Sequence, residues 1–258
     1  IRDSVAARGR GEVYKRQIDR LLGVIGGSLG GFQCLEWATR YPDKVLGSVP
    51  IASSPRLTTQ GLAFDVVGRN SIISDPNFNS GHYYNQKKKP DIGLALARML
   101  GHITYLSPES MNEKFEIDRN NPREISTSFE KKFSIGSYLA YQGERFVERF
   151  DANSVLYITR AMDYFDLSRQ FKGGLVEAFK NQKTKFLVIS FSSDWLYTTK
   201  ENKDTVIALN SSGADVSFAE IKTDKGHDSF LVNEPEFLKT LKGFIDSMHI
   251  KFKNEKRI

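Results

Sequence analysis

The stretch VIGGSLGGFQ, residues 24–33, constrains the fold more than any other part of the sequence. The residues before it are apolar and favour a strand, and apolar residues recur at helical spacing after it. The stretch therefore predicts a strand, a tight turn at Ser28 and a helix. Such a turn strains its central residue, and we expect the neighbours two positions away to lack a Cβ atom, as Gly26 and Gly30 do.

Residues Gly26 to Gly30 match the pattern G-x-S-x-G, which raises a serine above the carboxyl edge of a parallel sheet. In that position the backbone N–H of Leu29, at the first turn of the helix, can donate to a developing oxyanion. Glycine-rich loops also bind phosphate, but this one lacks the Lys-Ser/Thr pair that a phosphate loop needs. The motif alone does not distinguish a catalytic serine from an ordinary glycine-rich turn.

The composition is that of an ordinary globular chain. It has 258 residues, 40% hydrophobic and 26% charged, enough for one large core. No window approaches the roughly 18 consecutive apolar residues of a membrane span, so we expect no membrane partner. The single cysteine, Cys34, excludes an internal disulfide and suits a reducing compartment, which predicts a cytoplasmic location.

The formal net charge of +6 is concentrated near the two ends of the sequence. Residues 1–20 hold six basic and three acidic residues, and residues 251–258 hold four and one. This distribution indicates basic tails, so we expect no nucleic-acid partner. Residues 1–17 contain a glycine-interrupted RGRG and resemble a translated sequencing adapter. We expect them to be foreign or disordered, and residues 251–258 to form a basic tail.

The order of predicted elements indicates an α/β core that is interrupted by helices. A second buried strand follows the helix after Ser28, and that helix is long enough for a right-handed crossover between parallel strands. Helical periodicity then dominates until the strand pattern returns at residues 185–191 and 216–221. We predict a mostly parallel sheet with a helical insertion: core residues 18–69 and 181–250, and a helical lid over 70–180.

Two of the predicted strands end in residues that suit catalysis. Asp194 follows the strand at 185–191, and His227 follows the strand at 216–221. Catalytic groups of open α/β sheets lie at the carboxyl ends of strands. Ser28, Asp194 and His227 run in the order nucleophile, acid, histidine, which is the chain order of the α/β-hydrolase fold. Each residue alone has an ordinary structural use, but the order of all three favours catalysis.

The remaining histidines do not indicate a metal site. His82 lies in a polar loop, His102 in a predicted helix and His249 near the basic end, and no pair has the spacing H-x-x-x-H. We therefore expect no metal.

Longer stretches of the sequence resemble the homoserine O-acetyltransferase family, acyl-CoA-dependent enzymes of methionine biosynthesis. The resemblance runs from about Leu21 to Phe244. It is carried by several stretches in one order, among them GVIGGSLGGFQCLEWATRYPD, ARMLGHITYLS, SSDWLY and GHDSFL. It implies an α/β-hydrolase fold with Ser28 as nucleophile and Asp194 and His227 as its partners.

The resemblance also implies that Arg98 and Asp228 bind substrate. Homoserine carries a carboxylate that suits the guanidinium of Arg98 and an ammonium that suits the carboxylate of Asp228. Each residue has an ordinary structural use as well, Arg98 as a solvated helix charge and Asp228 as a helix cap.

The reaction that the resemblance implies is acetyl transfer through an acyl-enzyme on Ser28. Acetyl-CoA is the co-substrate, L-homoserine is the acceptor, O-acetyl-L-homoserine is the product, no cofactor is needed, and the protein could form a homodimer. Three alternatives stay open: O-succinyl transfer to homoserine or serine, an esterase of the same fold, and a binding module without catalysis.

The sequence departs from the family pattern in places. Few residues precede the strand before Ser28, whereas the family places several strands there and takes its second oxyanion donor from one of their loops. We therefore expect the early strands to be missing and the chain to be a fragment with little activity of its own. Thr198 and Thr199 stand where prolines are common, and Leu29 and Phe32 replace methionines. These changes affect the shape of the pocket rather than its chemistry.

Overall fold

The structure is a computed structural model that describes residues 18–116 and 133–255. The predicted foreign or disordered segment, residues 1–17, lies outside the described residues. The last helix continues to Glu255, so the described part of the predicted basic tail is helical.

Four parallel strands form the sheet at the centre of the fold. They are β1 (Val24–Gly27), β2 (Gly47–Ile51), β3 (Lys185–Phe191) and β4 (Val216–Ile221). Their order in space follows their order in the chain, with parallel pairing throughout. All four carboxyl ends therefore lie at one edge of the sheet. The predicted strands are confirmed, and β3 and β4 have their predicted bounds.

Helices surround this sheet on both faces and cover its carboxyl edge. In chain order they are α1 (Leu29–Arg40), α2 (Thr59–Ile73), α3 (Asp91–Tyr105), α4 (Pro108–Phe115), α5 (Ser134–Val147), α6 (Ala152–Tyr164), α7 (Leu167–Gln170), α8 (Gly174–Ala178), α9 (Thr199–Ser211) and α10 (Pro235–Glu255). Short 3₁₀ helices occur at Asn79–Gly81 and His227–Leu231. Among the described residues, no helix combines the length and apolar character needed to cross a membrane.

Two hydrophobic clusters lie on opposite faces of the sheet because side chains alternate along β3. Leu187 and Ile189 pack with residues of α10, including Phe244. Phe186 and Val188 pack with residues of α1, α7 and α9. A strand that is buried on both faces reads as a continuous apolar run, which is the pattern of KFLVISF.

The helices α2, α3, α5 and α6 form a separate layer with its own small core around Ile72 and Leu94. The indole of Trp195, just beyond β3, fixes this layer to the sheet: it donates to the carbonyl of Leu106 at 3.0 Å and packs edge-on against Phe64. The layer therefore lies over the carboxyl edge of the sheet. Helix α2 of this layer begins at Thr59, before the predicted start of the lid at residue 70. Helices α7 and α8 fall inside the predicted lid but pack on the sheet. The lid boundaries at 70 and 180 stay a prediction.

The strand that carries the serine turn lies at one side of the sheet. Among the described residues, β1 pairs only with β2, and Ile25 on β1 is 46% exposed. A strand of this kind presents unpaired backbone groups along its outer edge.

Candidate active site

Ser28 occupies the turn between β1 and α1 in a strained backbone conformation, with φ 55° and ψ −121°. Its N–H donates to the carbonyl of Ile51 at 2.9 Å. Its carbonyl accepts from the N–H of Gly31 at 2.8 Å and from the hydroxyl of Ser53 at 2.9 Å. These bonds hold a conformation that costs about 1–3 kcal/mol and that persists only where its surroundings enforce it. The predicted strand, turn and helix are confirmed.

The turn leaves no room for a side chain at Gly26. A Cβ atom there would lie closer than 3.0 Å to the backbone of Gly30. A Cβ atom on Gly30 would have nothing within 4 Å. The expectation that both glycines must lack a Cβ atom is therefore wrong for Gly30. The close approach lies between the Cβ position of Gly26 and the main chain of Gly30, so only a side chain on Gly26 would collide.

The two glycines provide a matched pair of substitutions. We expect Gly26→Ala to lower the free energy of unfolding by about 1–3 kcal/mol, because the methyl group must displace main chain. Gly30→Ala should be neutral or stabilising, since alanine is favoured over glycine in a helix by about 1 kcal/mol. Urea denaturation of both variants measures the difference, and equal losses would contradict the one-sided contact.

Asp194 and His227 form a buried pair at the carboxyl ends of β3 and β4. The carboxylate Oδ2 lies 2.8 Å from Nδ1 of the imidazole, and both side chains are almost fully buried. The other oxygen, Oδ1, accepts from the N–H groups of Leu196 and Tyr197, each at 2.9 Å. The carboxylate is therefore fixed, and it orients the imidazole so that Nε2 is left to take up a proton.

The histidine must reach back across the sheet, because β4 lies three strands from β1, a span of about 14 Å at the usual strand spacing. The position of Phe230, in the 3₁₀ helix that begins at His227, indicates that the histidine loop crosses this distance. A Cβ atom on Gly27 would lie 2.5 Å from the Phe230 ring, and this ring lies 5.6 Å from the ring of His227. One side chain thus packs against both the residue next to Ser28 and the imidazole, which places the loop of His227 beside the Ser28 turn.

Aromatic rings enclose the imidazole. The ring of Tyr197 lies 5.3 Å from it, and the ring of Tyr105, the last residue of α3, lies 5.8 Å from it. Burial raises the pKa of both phenols, so they stay neutral. Gly226 allows the close approach: its φ is 75°, and a Cβ atom there would lie 2.6 Å from the carbonyl oxygen of Tyr105. The loop of His227 is therefore held against the end of α3.

Arg98 on α3 faces the same region, and no charged partner for it lies among the described residues. Its guanidinium lies over the rings of Phe146 and Tyr105, at 4.8 and 5.7 Å from their centroids. In the described part of the chain it forms no ion pair, and its buried Nε has no acceptor.

Asp228 supplies the opposite charge. It follows His227 directly and is half-buried. Burial raises the pKa of its carboxyl, and the nearby side chains of His227 and Arg98 oppose that rise. Arg98 and Asp228 are therefore close enough to influence each other but are not joined in an ion pair. Two such charges suit a zwitterionic ligand placed between them.

The N–H of Leu29 is the first of α1 and is one of four that have no partner inside a helix. It lies next to Ser28, where the sequence predicts an oxyanion donor. Within residues 18–116 and 133–255, no three His, Cys, Asp or Glu side chains are grouped as metal ligands.

Sequence reasoning missed the aromatic enclosure of the histidine. One signal was available, because Tyr105 lies seven residues after Arg98 and therefore on the same face of its helix. Tyr197 and Phe230 come from other parts of the chain, and no local pattern distinguishes them from core residues.

The chain is similar to curated homoserine O-acetyltransferases. It is 52% identical to that of Pelagibacter ubique over 234 residues, which are 91% of this chain and 63% of the relative. It is 50% identical to that of Zymomonas mobilis over 246 residues, 95% of this chain and 66% of the relative. Over about nine tenths of its length, the chain resembles the homoserine O-acetyltransferases. The predicted resemblance is confirmed, although the chain spans less than two thirds of these relatives. No family model matches it.

Solved structures share the fold. Esterase E22 superposes with a TM-score of 0.81 at 23% identity, over 94% of this chain and 65% of that one. Homoserine O-acetyltransferase from Staphylococcus aureus superposes with a TM-score of 0.70 at 26% identity, over 93% of this chain and 62% of that one. The predicted α/β-hydrolase fold class is confirmed, and members of this family share their fold with esterases.

Proposed function

We propose that the protein transfers an acetyl group from acetyl-CoA to the hydroxyl of L-homoserine and so makes O-acetyl-L-homoserine for methionine biosynthesis. The names of its relatives support this reaction. One observation of the site carries it: Arg98 and Asp228, which form no ion pair among the described residues, lie beside His227, next to the Ser28 turn. An esterase would need the serine and the histidine but not two charges suited to an amino acid.

In the first step, Nε2 of His227 takes the proton of the Ser28 hydroxyl, and the serine oxygen attacks the thioester carbonyl of acetyl-CoA. The N–H of Leu29 donates to the oxyanion that forms. The carbon–sulfur bond then breaks, and the thiolate of CoA takes the proton from His227. Asp194 stabilises the imidazolium between these two transfers.

In the second step, the homoserine hydroxyl attacks the acetyl group on Ser28 while His227 takes the hydroxyl proton. The ester bond to serine breaks, and its oxygen recovers the proton. Arg98 binds the carboxylate of the acceptor, and Asp228 binds its ammonium, which also favours the ionised carboxylate of Asp228. Both contacts position the hydroxyl, and the surrounding aromatic rings limit competition from water.

The proposed roles predict that Arg98→Ala and Asp228→Ala slow discharge of the acetyl-enzyme by homoserine about 10- to 100-fold. This is the scale of one lost charged hydrogen bond, about 1.5–3 kcal/mol. Formation of the acetyl-enzyme should change less, because neither charge contacts the thioester. Rapid quench of the full-length protein with acetyl-CoA measures formation, and addition of homoserine measures discharge.

Two exposed residues serve as controls for these variants. Arg145→Ala removes a surface arginine that pairs with Glu148, and Asp204→Ala removes a surface carboxylate on α9. Both should leave each step unchanged. Discharge by water that ignores homoserine would show an esterase. Equal losses in both steps would show that Arg98 and Asp228 maintain the shape of the site rather than bind the acceptor.

Other expectations from the sequence are untested by the fold or the relatives. They are a homodimer, a cytoplasmic location, and the absence of a metal, a cofactor and a nucleic-acid partner. Each stays a prediction.

A further inference from the structure

Helix α3 carries a second buried side chain, one turn after Arg98, that the proposed reaction does not use. His102 is 7% exposed. Its Nε2 is fully buried and has no hydrogen-bond partner within the part of the chain that the structure describes. The Nε atom of Arg98 is also buried and also has no hydrogen-bond partner among the described residues. Two buried nitrogens that have no partner among the described residues therefore lie one helical turn apart, on the helix that carries Arg98.

The hydrogen bond of His102 indicates which nitrogen carries its proton. The hydroxyl of Tyr138, on α5, lies 3.3 Å from Nδ1, and the two rings meet edge to face. Burial raises the pKa of Tyr138, so the phenol keeps its proton and is able to donate to Nδ1, which is the direction we assign. Burial and the nearby Arg98 lower the pKa of His102 to about 4, so the ring is neutral. Its proton is then on Nε2.

His102 thus has a buried N–H group with no acceptor in residues 18–116 and 133–255. Buried polar groups in native proteins are nearly always bonded, and a bound group that completes the site is one explanation of an exception. The adjacent Arg98 is already suited to a carboxylate. A carboxylate has two oxygens and about four lone-pair positions, enough for the guanidinium and one further donor.

We propose that His102 is a second residue that binds the acceptor carboxylate, with its Nε2–H donating alongside Arg98. The inference rests on the proposed acyl transfer to an amino acid. In this proposal two residues of α3 recognise the carboxylate, the charged Arg98 and the neutral His102. Tyr138 acts through His102 by fixing the proton on Nε2.

The test pairs substitutions of His102 with an acceptor that lacks the carboxylate. His102→Asn places an amide near Nδ1 and removes the donor at Nε2, whereas His102→Gln can place an amide N–H near Nε2. Homoserine is compared with 3-aminopropan-1-ol, which keeps the hydroxyl and the ammonium. We expect His102→Asn to raise the KM for homoserine about 10- to 100-fold, on the scale of a hydrogen bond to a charged group. The glutamine variant should recover most of that loss.

With 3-aminopropan-1-ol, His102→Asn should discharge the acetyl-enzyme as the parent does, and acetylation by acetyl-CoA should be unchanged. Tyr138→Phe is a second variant that leaves the imidazole in place. It should raise the KM for homoserine by a smaller factor and leave the other acceptor unaffected. His249→Asn, an exposed change on α10, is the matched control and should alter neither.

Two results separate the inference from the function on which it rests. A parent protein whose acetyl-enzyme ignores homoserine overturns the proposed function and the inference with it. A parent that responds to homoserine, with equal losses for both acceptors in the His102 and Tyr138 variants, overturns the inference alone. So does an unchanged KM for homoserine in His102→Asn.

Discussion

Ser28→Ala is expected to abolish the acetyl-enzyme and to lower turnover by as much as about 10⁶-fold, the scale seen when a serine nucleophile is removed from its triad. The serine oxygen forms the covalent bond of the intermediate, and alanine has no atom that can replace it. Mass spectrometry of the full-length protein, treated with acetyl-CoA and no acceptor, should find one added acetyl group on the peptide that contains Ser28. The alanine variant should gain none.

Cys34 is the competing nucleophile in this experiment, and its surroundings disfavour it. The side chain is 3% exposed, and burial raises the pKa of the thiol to about 12. Very little thiolate exists at neutral pH, so the acetyl group should not attach there. Ser217→Ala, an exposed change on β4, is the control and should keep the label on Ser28. A label on Cys34 in the folded parent would contradict the assignment.

Asp194→Asn should lower turnover by about 10⁴-fold, as expected when the acid of a triad becomes an amide. The asparagine side chain can donate to Nδ1, which moves the imidazole proton to Nε2 and blocks proton uptake from Ser28. The amide can still accept from the N–H groups of Leu196 and Tyr197, so the loop should survive. Steady-state kinetics measures the loss, and circular dichroism checks the fold.

Asp204→Asn is the matched control for this variant, because Asp204 is an exposed carboxylate on α9. It should retain the parent rate. If Asp194→Asn were nearly as active as the parent, another carboxylate would have to orient His227. Asp228, which follows the histidine, would then be the residue to substitute next.

The sequence predicted the parts of the fold that are encoded locally. A serine between glycines after an apolar run predicted the turn at Ser28, and the stretch KFLVISF, with five apolar residues in seven, predicted β3 at its observed bounds. The placement of Asp194 and His227 followed from strand order, because parallel strands put their carboxyl ends on one edge. These inferences needed no knowledge of distant contacts.

Other parts of the fold and of the site depend on contacts between residues far apart in sequence, and local sequence patterns could not predict these contacts. Phe230 contacts the serine turn only because its loop crosses the edge of the sheet. That Nε of Arg98 and Nε2 of His102 find no partner among the described residues depends on what other helices bring near α3. For the same reason α7 and α8, although helical as expected, pack on the sheet rather than with the lid helices.

The crossing of the sheet edge by the His227 loop has a consequence for folding kinetics. The turn at Ser28 needs only β1, α1 and their neighbour β2, whereas the approach of the imidazole needs β3 and β4 in place as well. Contacts between residues so far apart in sequence form late and give a high contact order. Helical circular dichroism should therefore return early during refolding, and the catalytic geometry only when the last strand has joined the sheet.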